Sequence, residues 1–123
     1  MNRLQISPLA KNDLHEIRSY ITDELKNPSA AGNVVKRITK KLRRLKDFPL
    51  MGSTLSSIVD VETDYRFLVC DNYMAFYRYD DKVVYIIRVL LGRRDFIKIL
   101  FGNELMDNDE PEMMDLDMEI NNT

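Results

Sequence analysis

The chain has little of what most site chemistry requires. Its 123 residues include one histidine, His15, and one cysteine, Cys70. One imidazole and one thiol do not make the ligand cluster of a zinc site, and no second cysteine exists to close an internal disulfide. A serine or cysteine triad fails for the same reason, because His15 would have to serve as its base. His15 lies among Lys11, Glu16 and Arg18, the setting of a solvated helix residue. No Walker-type phosphate loop and no dinucleotide glycine pattern occurs. The paired carboxylates at Asp80-Asp81 are accounted for by turn chemistry. Neither a metal nor a cofactor is therefore expected. No apolar stretch approaches the roughly 18 residues of a membrane span, and the opening MNRLQISPLAKNDL has no run of signal-peptide length. With an unpaired cysteine, these features lead us to expect a reducing cytoplasm and no membrane partner.

What the chain does have is charge, unevenly spread. The net charge is −2. From Glu104 to Thr123, however, there are eight carboxylates and no basic residue, so residues 1–103 hold all 18 Lys and Arg against the remaining 12 acids, about +6. A basic body with an acidic tail points to a polyanionic or acidic partner for the body. It also suggests a division into one domain, 1–103, and a tail, 104–123, with the composition of a disordered extension. Within that tail Met114 to Ile120 alternates apolar and acidic residues without a slip, which is the pattern of a strand with one apolar face.

Along the body the periodicity changes once. LQIS opens as an extended segment, and Ser7-Pro8 reads as an N-cap followed by proline in the first helical turn. Ala10, Leu14, Ile17, Ile21 and Leu25 then fall on one helical face. KNPSA breaks that helix, and Asn27 or Ser29 is placed to cap a second, whose apolar face is Ala31, Val34, Val35, Ile38, Leu42 and Leu45. After DFPLMG comes a polar stretch, Ser53 to Asp64, without clear periodicity. YRFLVCD, YMAFYRYD and KVVYIIRVLLG follow as three strands, separated by turn residues at Asn72 and at Asp80-Asp81. The third lacks polar alternation over most of its length and is expected to be central or covered on both faces. RRDFIKILF supplies a short last helix. The expected fold is α+β in the order β-α-α-β-β-β, with a helical hairpin packed on a mainly antiparallel sheet.

The candidate functional residues are cations. The second helix carries Lys36, Arg37, Lys40, Lys41, Arg43, Arg44 and Lys46. Of these, Lys36, Lys40 and Arg44 are candidates for partner binding, against the alternative of a solvated face. Arg66, Arg78 and Arg88 interrupt apolar strands, so each must pair with a carboxylate or face a polar partner. Arg88 shares the parity of Val84, Ile86 and Leu90 and should lie on a partly buried face. If it is paired internally, Asp95, Asp71 or Glu62 is the expected acid. Arg93 and Arg94 leave the last strand just after Gly92, where two guanidinium groups can grip phosphate oxygens or carboxylates.

Taken in order, LQISPLAKNDLHEIRSYI, NPSAA, LKDFPLMG, YRFLVCDNYMAFYRYDDKVVYIIRVLLGRRD and ILF resemble the RelE/ParE superfamily of toxins from type II toxin–antitoxin systems. The resemblance runs from about Leu4 to Phe101. It implies the same β-α-α-β-β-β fold, a cognate antitoxin as partner, and a target that is either mRNA on the ribosome or DNA gyrase. Arg66 matches the superfamily's strand arginine, and Arg93 or Arg94 the arginine after the last long strand. These are the candidate catalytic residues of an RNA-cleaving member, with Tyr65, Arg78 and Arg88 beside them as binding residues. Two positions depart from that pattern. The late aromatic position holds Phe96 or Phe101, and Leu91 stands where many relatives carry histidine. RNA cleavage needs a base and an acid, and arginine, with a pKa above about 12, is a poor base at neutral pH. Three readings therefore stay open: an endoribonuclease, a gyrase inhibitor, and a non-toxic or self-restrained binding module of the same fold.

Overall fold

The computed structural model describes residues 2–60, 62–92 and 96–102. Its elements are β1 (Arg3–Ile6), α1 (Pro8–Asp23), α2 (Pro28–Arg43), β2 (Ser53–Thr54), β3 (Arg66–Cys70), β4 (Tyr73–Asp80), β5 (Val83–Leu91) and α3 (Phe96–Leu100). The strands form one sheet in the order β1-β5-β4-β3-β2. β1 runs parallel to β5 and the other neighbours are antiparallel. This is the α+β architecture expected from the sequence; in addition, the stretch without periodicity contains the two-residue strand β2 and a 3-10 turn, Leu55–Ser57, and a second 3-10 turn, Arg44–Lys46, follows α2.

Local chemistry explains the boundaries. Ser7 Oγ accepts from Ala10 N–H at 2.9 Å and Pro8 opens α1, while Asn27 Oδ1 accepts from Ala30 N–H at 3.1 Å and Pro28 opens α2. Each cap satisfies a backbone donor that the first helical turn leaves without a partner. α1 ends at Asp23, so Leu25 lies beyond it, exposed, and the buried face stops at Ile21. The β4–β5 hairpin turns through Asp81 and Lys82, both at positive φ (48° and 64°), one residue later than Asp80-Asp81. Two such residues in succession match the twist of the flanking strands.

The sheet is covered on both faces. Against α1 and α2 pack Leu68, Cys70, Ala75, Tyr77, Val84, Ile86 and Val89, meeting Ala10, Ile38, Leu42 and Leu45. On the opposite face Phe76, Ile87 and Leu90 pack with Leu55 and with Leu100 of α3. This is why β5 reads as continuously apolar. A bulge interrupts its alternation, since Tyr77 pairs with Ile86 but Phe76 pairs with Arg88, which leaves Ile87 extra. The bulge corrects the parity expected from the sequence. Leu90 lies on the face away from the helices, opposite to Val84 and Ile86, and Arg88 is registered with Phe76.

Candidate functional site

β1 pairs with β5 only as far as Ile6 and Ile86. Past that point the edge of β5 is completed by α1. Ser7 N–H donates to Ile86 C=O at 2.9 Å and Ser7 Oγ donates to Ile87 C=O at 2.6 Å. Asp13 Oδ2 accepts from Val89 N–H at 2.9 Å. Arg88 then binds Asp13 through both forks, Nε to Oδ2 at 2.7 Å and a terminal nitrogen to Oδ1 at 2.8 Å. Asp13 is buried, and these bonds hold the Arg88 guanidinium above its usual pKa against the opposing effect of burial. The paired acid is thus Asp13, replacing the three acids expected from the sequence. Its signal was present, because Asp13 falls three residues after Ala10 and beside Leu14, within the apolar face of α1.

Arg66 of β3 and Arg78 of β4 are also held within the domain. Arg78 donates from Nε and a terminal nitrogen to Asp64 Oδ2 at 3.0 and 2.9 Å and lies 5.9 Å from the centre of the Tyr65 ring. That hydrogen-bonded acid raises the Arg78 pKa. Tyr65 in turn packs on Phe101, ring centres 5.4 Å apart. Arg66 donates one terminal nitrogen to the carbonyls of Leu50 and Gly52 at 3.2 and 2.7 Å, and its Nε is buried without a hydrogen-bond partner. Tyr77 fastens the same loop. Its fully buried hydroxyl donates to Pro49 C=O at 2.8 Å and accepts from Gly52 N–H at 3.0 Å. Gly52 is required by this closeness, since a Cβ there would stand 2.7 Å from the Tyr77 hydroxyl and closer still to Phe67 C=O.

The cations of α2 are placed differently. Lys36 and Lys40, and Arg44 just past the end of the helix, are exposed. Beside β3, a groove of about 270 Å³ is lined by Arg37, Lys40, Lys41, Arg44, Cys70 and Asp71. Arg37 pairs with Asp71 at 3.0 Å, both groups about half-exposed, and Lys41 Nζ donates to Val69 C=O at 2.6 Å. Arg44 also borders an apolar hollow of about 590 Å³ formed by Phe48, Pro49, Leu50, Met51 and Tyr79. Phe48 and Leu50, 57% and 62% exposed, give that hollow an apolar rim open to solvent. Cys70 is buried at the groove floor, and burial raises its thiol pKa, the opposite of what a reactive thiolate needs.

Residues 4–96 match the family described as the ParE toxin of the type II toxin–antitoxin system parDE. The chain belongs to the ParE toxin family. A solved structure titled as the chromosomal ParDE toxin–antitoxin system from P. aeruginosa shares its fold, with a TM-score of 0.63 and 24% identity over 74% of this chain and 96% of that one. No curated protein matches. No helix among the described residues is long and apolar enough to cross a membrane.

For this ParE-family toxin the sequence-derived candidates thus divide. Arg66, Arg78 and Arg88 are brought onto the sheet and bound to the domain's own acids and carbonyls. Lys36, Lys40 and Arg44 are exposed along α2 and just past its end; Lys40 and Arg44 line the groove together with Arg37 and Lys41, which were not among the site candidates. Arg93 and Arg94 lie outside the described residues, as does the tail. Leu91 is exposed at the end of β5, and Phe96 packs on Phe76 at 5.2 Å between ring centres.

Proposed function

We propose that this toxin arrests growth by binding a protein target, DNA gyrase, and that a cognate antitoxin silences it by covering the binding surface. The observation that carries this reading is the state of the sheet arginines. A ribonuclease needs cations free to meet the phosphate and a group able to move a proton. Arg66, Arg78 and Arg88 are instead committed to Leu50 and Gly52, Asp64, and Asp13. The Tyr77 hydroxyl is buried and has both a donor and an acceptor as partners. The exposed Lys36, Lys40 and Arg44, with the apolar hollow beside Arg44, are suited to a protein surface bearing acids and apolar side chains. We assign Arg93 and Arg94 to the same contact on the sequence pattern alone.

The test is induced expression in a bacterial host with new DNA and new protein synthesis followed separately by pulse labelling. An early fall in DNA synthesis, with purified toxin blocking supercoiling by gyrase, is the expected result. An early fall in protein synthesis would overturn it in favour of ribosome-dependent mRNA cleavage. If neither fell, the chain would be better described as a non-toxic binding module.

A further inference from the structure

At one edge of the sheet, among the described residues, pairing stops early. β2 pairs with β3 only at Arg66 and Phe67, and β3 continues through Leu68, Val69 and Cys70 with no strand on that side among the described residues. The backbone groups that face this edge can be identified. Leu55 N–H donates to Tyr65 C=O across it, and in an antiparallel ladder every second residue points the same way. Phe67 and Val69 therefore also direct their N–H and C=O outward. The Val69 carbonyl is met by the Lys41 ammonium at 2.6 Å, a side chain standing where a neighbouring strand would donate. Leu68 and Cys70 face the helices, so the Val69 side chain lies on the other face, 50% exposed. An added strand here would meet opposite surroundings on its two sides: the cationic groove toward α2, and the half-exposed Val69 away from it.

Residues 114–120 have that asymmetry. Met114, Leu116, Met118 and Ile120 would share one face of a strand, and Asp115, Asp117 and Glu119 the other. We propose that this segment of the chain's own tail docks in cis as a sixth strand on the open edge of β3. Its carboxylates then enter the groove lined by Arg37, Lys40, Lys41 and Arg44, and its apolar side chains extend the surface around Val69. Val69 N–H and C=O gain backbone partners, and Lys41 is released from the carbonyl to meet a carboxylate. Such edges are open to pairing with any other chain, and covering them is one way that folded proteins prevent it. The connection is long enough. Eleven residues, 103–113, reach up to about 36 Å when extended, whereas a five-stranded sheet is only about 19 Å from first strand to last. Charge favours this occupant, because the tail carries eight acids and no base beside a body of about +6.

The docking stands on this geometry whatever the toxin's target. Only its consequence, that the groove is closed to other partners, rests on the reading of α2 given above. Hydrogen exchange on the full-length chain at low salt tests the docking without measuring toxicity. The alternate amides of 114–120 that face β3, and that of Val69, should exchange at least about tenfold more slowly than unstructured chain. Leu116→Pro, which removes a backbone donor from the segment, should return both to the unprotected rate with the melting temperature of the body unchanged. D115K/D117K should do the same by reversing the charge that faces α2. Unprotected amides throughout 114–120 in the native chain would overturn the proposal. So would protection that survives both variants. Protection that disappears on dilution together with a dimeric mass would also overturn it, by assigning the strand to a second copy.

Discussion

The arginines of β3 to β5 and the outermost cations along α2 come from one basic chain and meet opposite fates. Arg66, Arg78 and Arg88 stand in strands, where an unpaired guanidinium would be costly, and each has been given oxygen partners within the domain. Lys36 and Lys40 on the outer face of amphipathic α2, and Arg44 just past its end, stand exposed, where hydration can satisfy them. The difference separates structure from recognition better than residue type does. An arginine among apolar residues is more informative about what holds the domain together, whereas the exposed cations are the ones still able to bind something else.

The contrast breaks most visibly at Asp13. Asp13→Ala leaves Arg88 without its acid and Val89 N–H without an acceptor, so we expect a loss of about 3–5 kcal/mol, read as a large fall in denaturant midpoint. A midpoint close to that of the unchanged chain would mean that the Arg88 pair contributes little. Gly52→Ala should act at the second fastening point, pushing the Tyr77 hydroxyl and the Phe67 carbonyl away and costing about 1–3 kcal/mol by the same measurement. The smallest stability effect belongs to α2. K40A/R44A should leave the midpoint within about 0.5 kcal/mol while weakening binding of an acidic antitoxin or target, with a reduced salt dependence of the association rate. If the double variant instead unfolded readily, the helix cations would be structural too and the comparison would collapse.

Much of the fold was legible because its signals are local. The caps at Ser7 and Asn27, the change from helical to strand periodicity, and the continuous apolar run of β5 each depend on a few neighbouring residues. β2 was not legible, since two polar residues carry no periodicity and are paired by what lies opposite them in β3. The face of Leu90 was misread because a bulge at Ile87 shifts the alternation, and no residue type there announces it. At the site, the need of Arg88 for an acid followed from its apolar setting, but the acid itself did not. Asp13 is far away in the chain, and only the packing of α1 against β5 brings the two together. The open face of α2 was readable as a charge run. Which of its cations line a groove depended on the position of β3, which helical periodicity does not reveal.

The completion of β5 by Ser7 and Asp13 has a consequence for timing. The first residues to be synthesised find their partners in Ile86 to Val89, near the end of the body. At about 5–20 residues per second, some 4–16 s separate the translation of Ser7 from that of Ile87. Through that interval β1 has no neighbour and the buried acid of α1 has no cation. A chain interrupted before Val83 would lack the one strand that joins β1 to β4, so the sheet is completed late and in a single step.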